Sequence, residues 1–435
     1  MKRFLKYSIP AVALLLSSTA WTQQSITLKS AIDTALQNNF DIQIAKNNQE
    51  IGRTNNTFGV AGGLPTVNIN GTDNLSHYNL DQTLSNGSEL KNPNVKSNVI
   101  NASAMASMTL FNGFKVLATK AKLNQLQKQS EIMVNQQIQN TMAGVMVAYW
   151  DIIRQQYYHN IIQSSLDVST QKLDIIKARN AVGMANDADI LQAEMDVNMA
   201  TQLLANQQVL IEADKTNLLQ LMGTKNFYLF DVKDSIILDK TIQKDSILSL
   251  IETNPQYQSA QEQVFINQQI AKELGAQRYP SLKVGAGYTF AYTDNSAGNI
   301  LLNQTYGPTV GATLQIPVFN GTIYQKQQKV AHINVKSAEL QKESVMVSLK
   351  ASVERSFQSY QNALNQLVAQ QEAYQKAIKL VSLVVHRFEL NQATILDVKA
   401  AQNSLESAGY MLVNLNYSAK ISEIELKRLV YRLSY

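Results

Sequence analysis

The chain has 435 residues, no cysteine, 16% charged residues and a formal net charge of +5. The lack of cysteine excludes a disulfide framework, a thiolate metal site and a lipid-modified N-terminal cysteine. A chain of this length would ordinarily form two or three domains, but its few charges and abundant Asn and Gln favour long, closely packed polar helices over the core of a globular enzyme.

Residues 1–22 have the order of a secretory signal peptide, with basic residues first, an apolar run at 11–16, and then small residues with plausible cleavage after Ala20 or Thr22. The apolar run is too short to cross a bilayer as a helix, and no later segment supplies the roughly 18 to 20 apolar residues that a spanning helix needs. Removal of the three basic residues lowers the formal charge from +5 to +2, which gives no support for nucleic-acid binding.

The remainder of the chain is an internal repeat. Asn39 and Pro65 recur 215 positions later as Asn254 and Pro280. From the Phe-Asn-Gly motif onward the offset is 208, and it joins Phe111, Asn112 and Gly113 to Phe319, Asn320 and Gly321, Arg179 to Arg387, Gly183 to Asn391, Asp189 to Asp397, and Leu221 to Leu429. Chance similarity would not keep one register from residue 111 to residue 221, so two copies of one unit are expected.

The copies are predicted to occupy residues 23–223 and 246–435, with residues 224–245 as an irregular belt beside the helices. The predicted elements are, in chain order, a β-hairpin at about 65–111, a long helix at about 114–182 and a return helix at about 184–222, then a β-hairpin at about 281–319, a long helix at about 322–390 and a return helix at about 392–431.

Both hairpin segments alternate apolar and polar residues with a period of two, which is typical of strands with two different faces. In the second copy the apolar set runs from Leu282 to Tyr292 and returns from Val310 to Val318. Four strands of roughly 10 to 14 residues are long enough to cross a membrane in a tilted barrel. The copies differ in length only at the hairpin loops, which are expected at residues 81–98 and 294–303, where insertions are tolerated.

Four tyrosines near the predicted strand ends, Tyr78, Tyr288, Tyr292 and Tyr306, are candidates for an aromatic belt at the membrane interface. Packing between copies is the alternative for any one of them.

Each Asn-Gly pair is followed by a helical pattern. Residues 114–182 and 322–390 contain no Pro and one Gly, Gly144, so each can form a single helix of roughly 100 Å at about 1.5 Å per residue. In the second long helix, apolar residues at spacings of three and four from Met346 to Phe388 indicate coiled-coil packing.

Four strands cannot close a barrel, and unpaired backbone groups in lipid cost several kcal/mol each. The chain is therefore expected to oligomerise, and three copies would supply twelve strands with a polar lumen and an apolar outer face. The predicted fold class is mainly α with a small transmembrane β part, in which coiled-coil-like hairpins form an α-barrel below a 12-stranded β-barrel.

The paired hairpins, the junction containing Pro317, Phe319, Asn320 and Gly321, and the stretch from Arg387 to Val398 resemble the TolC-type outer-membrane efflux family. The resemblance covers nearly all of the chain after residue 22. It implies a homotrimer in outer-membrane lipid with a long periplasmic portion, which exports drugs, metals or proteins passively by docking an inner-membrane pump through a periplasmic adaptor. The partners and the cargo are not readable from composition or periodicity.

The same resemblance places the periplasmic tip at Gly183 and Asn391. The acids that follow, Asp189 and Asp397, could form rings around a pore axis that attract cations, or could each offset the dipole at a helix N-terminus. Some family members carry a second acid where this chain has Ala400, so a double acidic ring is not expected here.

Two arginines precede the tip, Arg179 and Arg387. One hypothesis is that each pairs with an aspartate of a neighbouring hairpin and holds the tip closed. The alternative is that they satisfy carbonyl groups at helix C-termini.

No enzyme, cofactor or metal site is predicted, since the four histidines stand alone, without ligand spacing or a recognisable triad. The rival interpretation is a periplasmic coiled-coil adaptor or scaffold in which the strands form a small soluble domain. The adaptor hypothesis predicts that salt or osmotic shock releases the protein from cells, whereas a duct would stay in the outer membrane until detergent is added.

Overall fold

The computed structural model describes residues 24–433, so the predicted signal peptide at residues 1–22 lies outside the described residues. Most of the described chain is helical. Its elements are, in chain order, β1 (Gln24–Ser25), α1 (Leu28–Asn38), α2 (Phe40–Asn55), β2 (Thr66–Thr83), β3 (Glu89–Asn112), α3 (Lys115–Ala181), α4 (Asp187–Leu221), β4 (Phe230–Asp231), α5 (Lys244–Ser249), a 3-10 turn (Ile251–Thr253), α6 (Pro255–Ala276), β5 (Ser281–Asn295), β6 (Leu302–Gln315), α7 (Ile323–Glu389) and α8 (Ile395–Leu429).

The four long strands form one antiparallel sheet in the order β2-β3-β5-β6. The two hairpins are joined through β3 and β5, which pair from Ser97 with Asn295 to Asn112 with Ser281. Within residues 24–433, β2 and β6 each have a partner on one side only. The predicted class, mainly α with four antiparallel strands, is confirmed.

The first hairpin loop is shorter than the sequence suggests. Residues 81–98 were expected as loop, but β2 and β3 continue as a two-stranded ribbon beyond the sheet, with Thr83 opposite Glu89 and a register shift between Tyr78 and Leu80. The segment is rich in Asn and Ser, and its few apolar residues, among them the buried Val95, do not alternate regularly with polar ones, which is the pattern by which strands are recognised from sequence.

The long helices α3 and α7 span 67 residues each and pack antiparallel to their return helices, α4 and α8. Near the turns that end α3 and α7, one apolar cluster joins all four helices through Ile176, Ala193, Phe388 and Val398. Farther along the bundle, α8 approaches α3 closely at Gly409, where a Cβ atom would lie 2.8 Å from Cδ1 of Ile161. Small residues therefore set the spacing between the two hairpins.

The helices that precede the two hairpins, α2 and α6, are each anchored by a buried asparagine at the N-terminus. Asn39 caps α2 and donates its amide to the carbonyl of Leu221 at 2.9 Å, and Asn254 caps α6 and donates to the carbonyl of Leu429 at 2.9 Å. A buried Asn that caps one helix and binds the end of another fixes both ends in place, because it satisfies backbone groups of each.

Residues 222–243, between the two copies, are largely irregular, and β4 pairs in parallel with β1. Buried tyrosines of the long helices bind this segment: the hydroxyl of Tyr149 donates to Asp234, and that of Tyr360 donates to the carbonyl of Asp239. The irregular segment is thereby held against the middle of the bundle.

Candidate functional site

The sheet has one polar and one apolar face, and the register keeps them separate across all four strands. Residues opposite one another in antiparallel strands share a face. On one face the rows are Asn68, Met105, Gly287 and Thr309, then Asn70, Ser103, Thr289 and Gly307; on the other they are Val67, Ala106, Ala286 and Val310, then Ile69, Ala104, Tyr288 and Pro308. The arrangement suits a wall with water on one side and lipid on the other.

The polar face carries no ionisable side chain over most of its height. From the row that starts at Thr66 to the row that starts at Asn74, its residues are Thr, Asn, Ser, Gly, Met, Ala and Val. The first charge is that of Lys283, in the row next to the helices between Thr109 and Thr313. This surface offers hydrogen bonds to water without a strong field of either sign.

The apolar face is uncovered in a single chain. Ile69 is 82% exposed and Val310 is 86% exposed, although both stand at positions where the alternation predicts a buried side chain. Within the described residues nothing packs on them, so the surface is suited to contact with lipid.

The tyrosines proposed for an aromatic belt do not share one face. Tyr288, Tyr292 and Tyr306 lie on the apolar face, but Tyr288 is in the middle of β5. Tyr78 pairs with Val95 on the polar face, so its assignment to a lipid-facing belt was wrong. The alternation along β2 already places Tyr78 with Asn68 and Asn70, because the pairing is uninterrupted from Thr66 to Tyr78.

The strand-to-helix junctions contain two successive left-handed residues each, Gly113 with Phe114 and Gly321 with Thr322. This conformation turns the chain from the strand into the helix, and glycine adopts it without a steric penalty. In the first junction Asn112 Oδ1 accepts a hydrogen bond from the backbone N of Val116 at 3.3 Å.

The aromatic residues of these junctions differ between the copies. Phe111 packs edge-on against Phe114, with ring centroids 5.3 Å apart. Phe319, which follows Pro317, is 83% exposed, and the side-chain nitrogen of Asn320 is buried without a hydrogen-bond partner. The second junction is therefore the less completely packed of the two in a single chain.

The two helix-to-helix turns have matching backbones. Gly183 (φ +78°) and Asn391 (φ +61°) are both left-handed. In each turn the next residue donates its backbone N–H to the carbonyl of an arginine at 2.8 Å, namely Arg179 in the first and Arg387 in the second. This is a Schellman-type end, which satisfies the last carbonyl groups of a helix.

The aspartates after the turns act as helix caps within one chain. Asp189 accepts a hydrogen bond from the backbone N of Asn186 and donates its own N–H to the Asn186 side chain at 2.8 Å. Asp397 Oδ2 accepts bonds from the backbone N and the hydroxyl of Thr394, both at 2.8 Å, and these bonds hold the pKa of the Asp397 carboxyl below its ordinary value. Both caps are capping boxes, which stabilise the starts of α4 and α8.

The arginines do not pair with these aspartates within one chain. The Arg179 guanidinium lies 4.3 Å from the ring centroid of Phe388 and donates to the Phe388 carbonyl, so it ties the first turn to the second. Arg387 donates to the carbonyl of Gln392 at 3.1 Å within its own turn. Single-chain geometry thus shows both arginines binding carbonyl groups.

Sequence reasoning missed a buried charge cluster between the hairpins. Lys172 Nζ lies 2.5 Å from Asp196 Oδ2, and Lys399 Nζ of α8 lies 3.4 Å from Asp196 Oδ1. Burial raises the pKa of Asp196, but the hydrogen bond and charge of Lys172 and the charge of Lys399 outweigh it, and the net pKa is lowered. The charges stand on three different helices, so no local pattern could have signalled the cluster.

None of the helices between residues 24 and 433 combines the length and hydrophobicity required to cross a membrane. Over the same residues, no cluster of His, Asp and Glu has the arrangement of a metal site.

Two segments of the chain, residues 31–224 and 247–430, match the family model described as "Outer membrane efflux protein". The outer membrane protein TolC of Escherichia coli is 22% identical over 363 residues, which cover 80% of this chain and 72% of that protein. TolC of Vibrio cholerae is 22% identical over 316 residues, 68% of either chain.

Solved structures share the fold. The outer membrane protein VceC of Vibrio cholerae superposes with a TM-score of 0.75 at 17% identity, over 93% of this chain and 95% of its own. The outer membrane channel CmeC of Campylobacter jejuni superposes with a TM-score of 0.75 at 13% identity, over 99% of this chain and 94% of its own.

Proposed function

The chain belongs to the outer membrane efflux protein family, and we propose that three copies of it form a passive duct that carries substrates across the outer membrane. It is an outer-membrane protein with a long helical periplasmic part. The substrates enter the duct from the periplasm or from an inner-membrane pump. The system served is a tripartite efflux assembly or a type I secretion system.

One observation supports the duct most directly: the sheet is open at both edges yet has two faces of opposite polarity, which are continuous from the row of Thr66 to the row of Gly71. An open edge in lipid is costly because its N–H and C=O groups find no water there. Three copies would pair each β6 with a neighbouring β2 and close twelve strands around the polar face. A soluble domain would instead have to cover Ile69 and Val310 in another way.

The polar face is uncharged from the row of Thr66 to the row of Asn74, which favours a duct that does not select ions over that part of the barrel. Rings of charged side chains are the usual device by which wide pores select ions. On the polar face the nearest charge to these rows is that of Lys283, at the junction with the helices, where three copies would form one ring. The choice of cargo is then left to the pump and adaptor, and discrimination by charge in the duct itself is left to the Lys283 ring and the periplasmic tip.

The tip is the proposed gate. The turns at Gly183 and Asn391 bring Arg179, Arg387, Asp189 and Asp397 to one end of the bundle. In the resting trimer, we propose, arginines of one hairpin pair with aspartates of a neighbouring chain, and a docking adaptor competes for those bonds. Arg387 supports this role because its partner in one chain is an exposed backbone carbonyl, which can be exchanged for a carboxylate.

Single-channel conductance tests the gate. Arg387→Ser and Asp397→Ala are expected to raise the conductance of the resting channel in planar bilayers. Asn186→Ala is the control, because it removes a cap at the same end without removing a charge. Unchanged conductance in both charge variants would contradict the latch and leave the arginines as carbonyl-binding residues.

Fractionation of cells tests the duct against the periplasmic adaptor. The protein is expected in the outer-membrane fraction and in solution only after detergent, and cells without its gene are expected to become sensitive to antibiotics, detergents or metals. Release by salt or osmotic shock would contradict the duct.

A further inference from the structure

Each strand-to-helix junction has a left-handed glycine, but only one of the two glycines is covered. A Cβ atom at Gly113 would lie 2.5 Å from the carbonyl oxygen of Ala276 and 2.7 Å from Cβ of Tyr279. At Gly321, no heavy atom of the described chain lies within 4 Å of the same position. The same motif is packed in the first copy and open in the second.

The repeat indicates what would cover Gly321. Within one chain, α6 of the second copy and the turn after it lie on the start of α3 of the first copy. If the same packing is repeated between chains, α2 and the following turn, from the first copy of a neighbouring chain, would lie on the start of α7. Ala276 corresponds to Ala61 at the offset of 215, so the covering segment would be residues 57–64 of another chain, together with α2.

The contact within the chain is polar. Lys122 Nζ of α3 lies 2.6 Å from Glu273 Oε2 of α6, and these side chains are 23% and 18% exposed. Gln129 Nε2 donates to the carbonyl of Ser259 at 3.1 Å and to Gln263 Oε1 at 3.2 Å. One ion pair and two hydrogen bonds thus join the first copy to the second.

The corresponding positions between chains are apolar. Lys122 corresponds to Val330 at the offset of 208. Glu273 corresponds by position to Phe58 at the offset of 215, although Glu273 is still in α6 and Phe58 lies in the turn after α2. Val330 is 55% exposed and Phe58 is 50% exposed in a single chain. Both charges of the ion pair are therefore replaced by uncovered apolar side chains.

The apolar character continues along both elements. Exposed apolar side chains precede Phe58 at intervals of seven residues, and others flank Val330 on the same helix; they are Ile44 and Ile51 on α2, and Ile323 and Ile333 on α7. Spacings of this kind produce a continuous seam when two helices pack side by side. Two uncovered seams at positions related by the repeat are complementary surfaces of the same molecule.

We infer that a second copy of the chain packs α2 and residues 57–64 against the start of α7, with Phe58 of the neighbouring copy on Val330 and its Ala61 turn over Gly321. The inference rests on the proposed oligomeric duct and adds to it the residues that join the copies near the barrel. The chain uses one packing geometry twice, once with a charged pair inside the chain and once with an apolar pair between chains.

Cross-linking tests the contact, and the lack of native cysteine makes the reaction specific. Phe58→Cys combined with Val330→Cys, treated with a short bismaleimide in detergent, is expected to give linked dimers and trimers on a denaturing gel. Lys122→Cys with Glu273→Cys is the matched control, expected to link only within one chain and to migrate as a monomer.

The results of cross-linking and native mass spectrometry together distinguish failure of this contact from failure of the proposed duct. If the parent protein is oligomeric by native mass spectrometry but the Phe58 and Val330 pair gives no linked copies, the contact is wrong and the duct stands. If the parent protein is monomeric, the contact and the duct both fail.

A charge exchange gives a second test. Val330→Lys alone would place an unpaired charge at the contact, and Phe58→Glu alone would set a carboxylate against Val330, with Lys120 of its own chain nearby. Each is expected to lower the temperature at which the oligomer dissociates. The double variant recreates the ion pair of Lys122 and Glu273, and we expect it to recover most of the loss. A double variant as unstable as the sum of its single variants would contradict the contact.

Discussion

Among the described charged residues, Lys172 is the most deeply buried, with 1% of its surface exposed. It lies between α3 and α4, where its partner Asp196 also faces Lys399 of α8. A charge in this position is tolerated only while it is paired, because desolvation is otherwise not offset. Together with Lys399, the pair therefore fixes the relative position of three helices in the half of the bundle near Gly183 and Asn391.

Lys172→Met tests the importance of that pair. Removal of the buried charge leaves Asp196 with one exposed partner, so we expect the free energy of unfolding to fall by about 3 kcal/mol. The control is Lys177→Met, which breaks the exposed pair with Glu194 on the same two helices and is expected to cost less than about 1 kcal/mol. Denaturant titration of the helical circular dichroism signal measures both. Equal losses would show that burial does not strengthen the pair.

The stability supplied by Asp196 is expected to depend on pH. Its pKa in the folded chain lies below the ordinary value of 3.8. A carboxyl with a lowered folded pKa contributes stability that is complete above the ordinary value and is lost as the pH falls through the lowered one. The difference in the free energy of unfolding between the parent and Lys172→Met should therefore shrink below pH 3.8. A difference that stays constant into acid would exclude the ionised pair as its cause.

At the scale of elements, the sheet depends on one close approach between β3 and β5. A Cβ atom at Gly287 would collide with the carbonyl oxygen of Ala104 and the side chain of Met105, whereas one at Gly307, on the same polar face, would meet nothing within 4 Å. We expect Gly287→Ala to cost about 1 to 3 kcal/mol through overpacking and Gly307→Ala to cost far less. The midpoint of thermal unfolding distinguishes them. Equal shifts would mean that β3 moves aside without cost.

The turn at Gly183 requires a left-handed backbone conformation. Asn391 occupies in the second turn the left-handed conformation that Gly183 has in the first. Gly183→Asn is therefore expected to be nearly neutral, whereas Gly183→Val should cost about 1 to 2 kcal/mol because a β-branched residue is strained there. Hydrogen exchange of the amides near residue 183 should accelerate in the Val variant alone. Equal exchange in both variants would contradict a conformational requirement at this turn.

Much of the architecture could be predicted because it follows from local sequence. The absence of Pro over residues 114–182 permits a single helix, and α3 runs through Lys115–Ala181. The alternation along β5 and β6 predicts two faces, and the register keeps those faces separate. Gly183 and Asn391 are residue types that accept a left-handed backbone, and both adopt it.

The rest depends on contacts between distant parts of the chain. The pairing of β3 with β5 joins the two copies, and nothing within either hairpin specifies it. Lys172 is buried by helices that follow it in the chain, so its surroundings were not apparent from its neighbours. At the tip, sequence reasoning named the charged residues, but the partner of Arg179, the carbonyl of Phe388, was set by which helix ends meet.

At the scale of the whole molecule, the chain has more uncovered apolar surface than a single copy can bury. It includes one face of the sheet, α2, the start of α7 and a stripe along α4 from Leu191 to Leu210. The sheet face is suited to lipid and the helix faces to another copy, so the proposed assembly rests on the same distribution of side chains that suits the sheet to a membrane.

The central claim is that a single copy cannot close its own sheet. Native mass spectrometry of the detergent-solubilised protein tests this directly, and the expected result is a complex of three chains that dissociates only on unfolding. A stable, folded monomer with all strand edges protected from hydrogen exchange would contradict the claim.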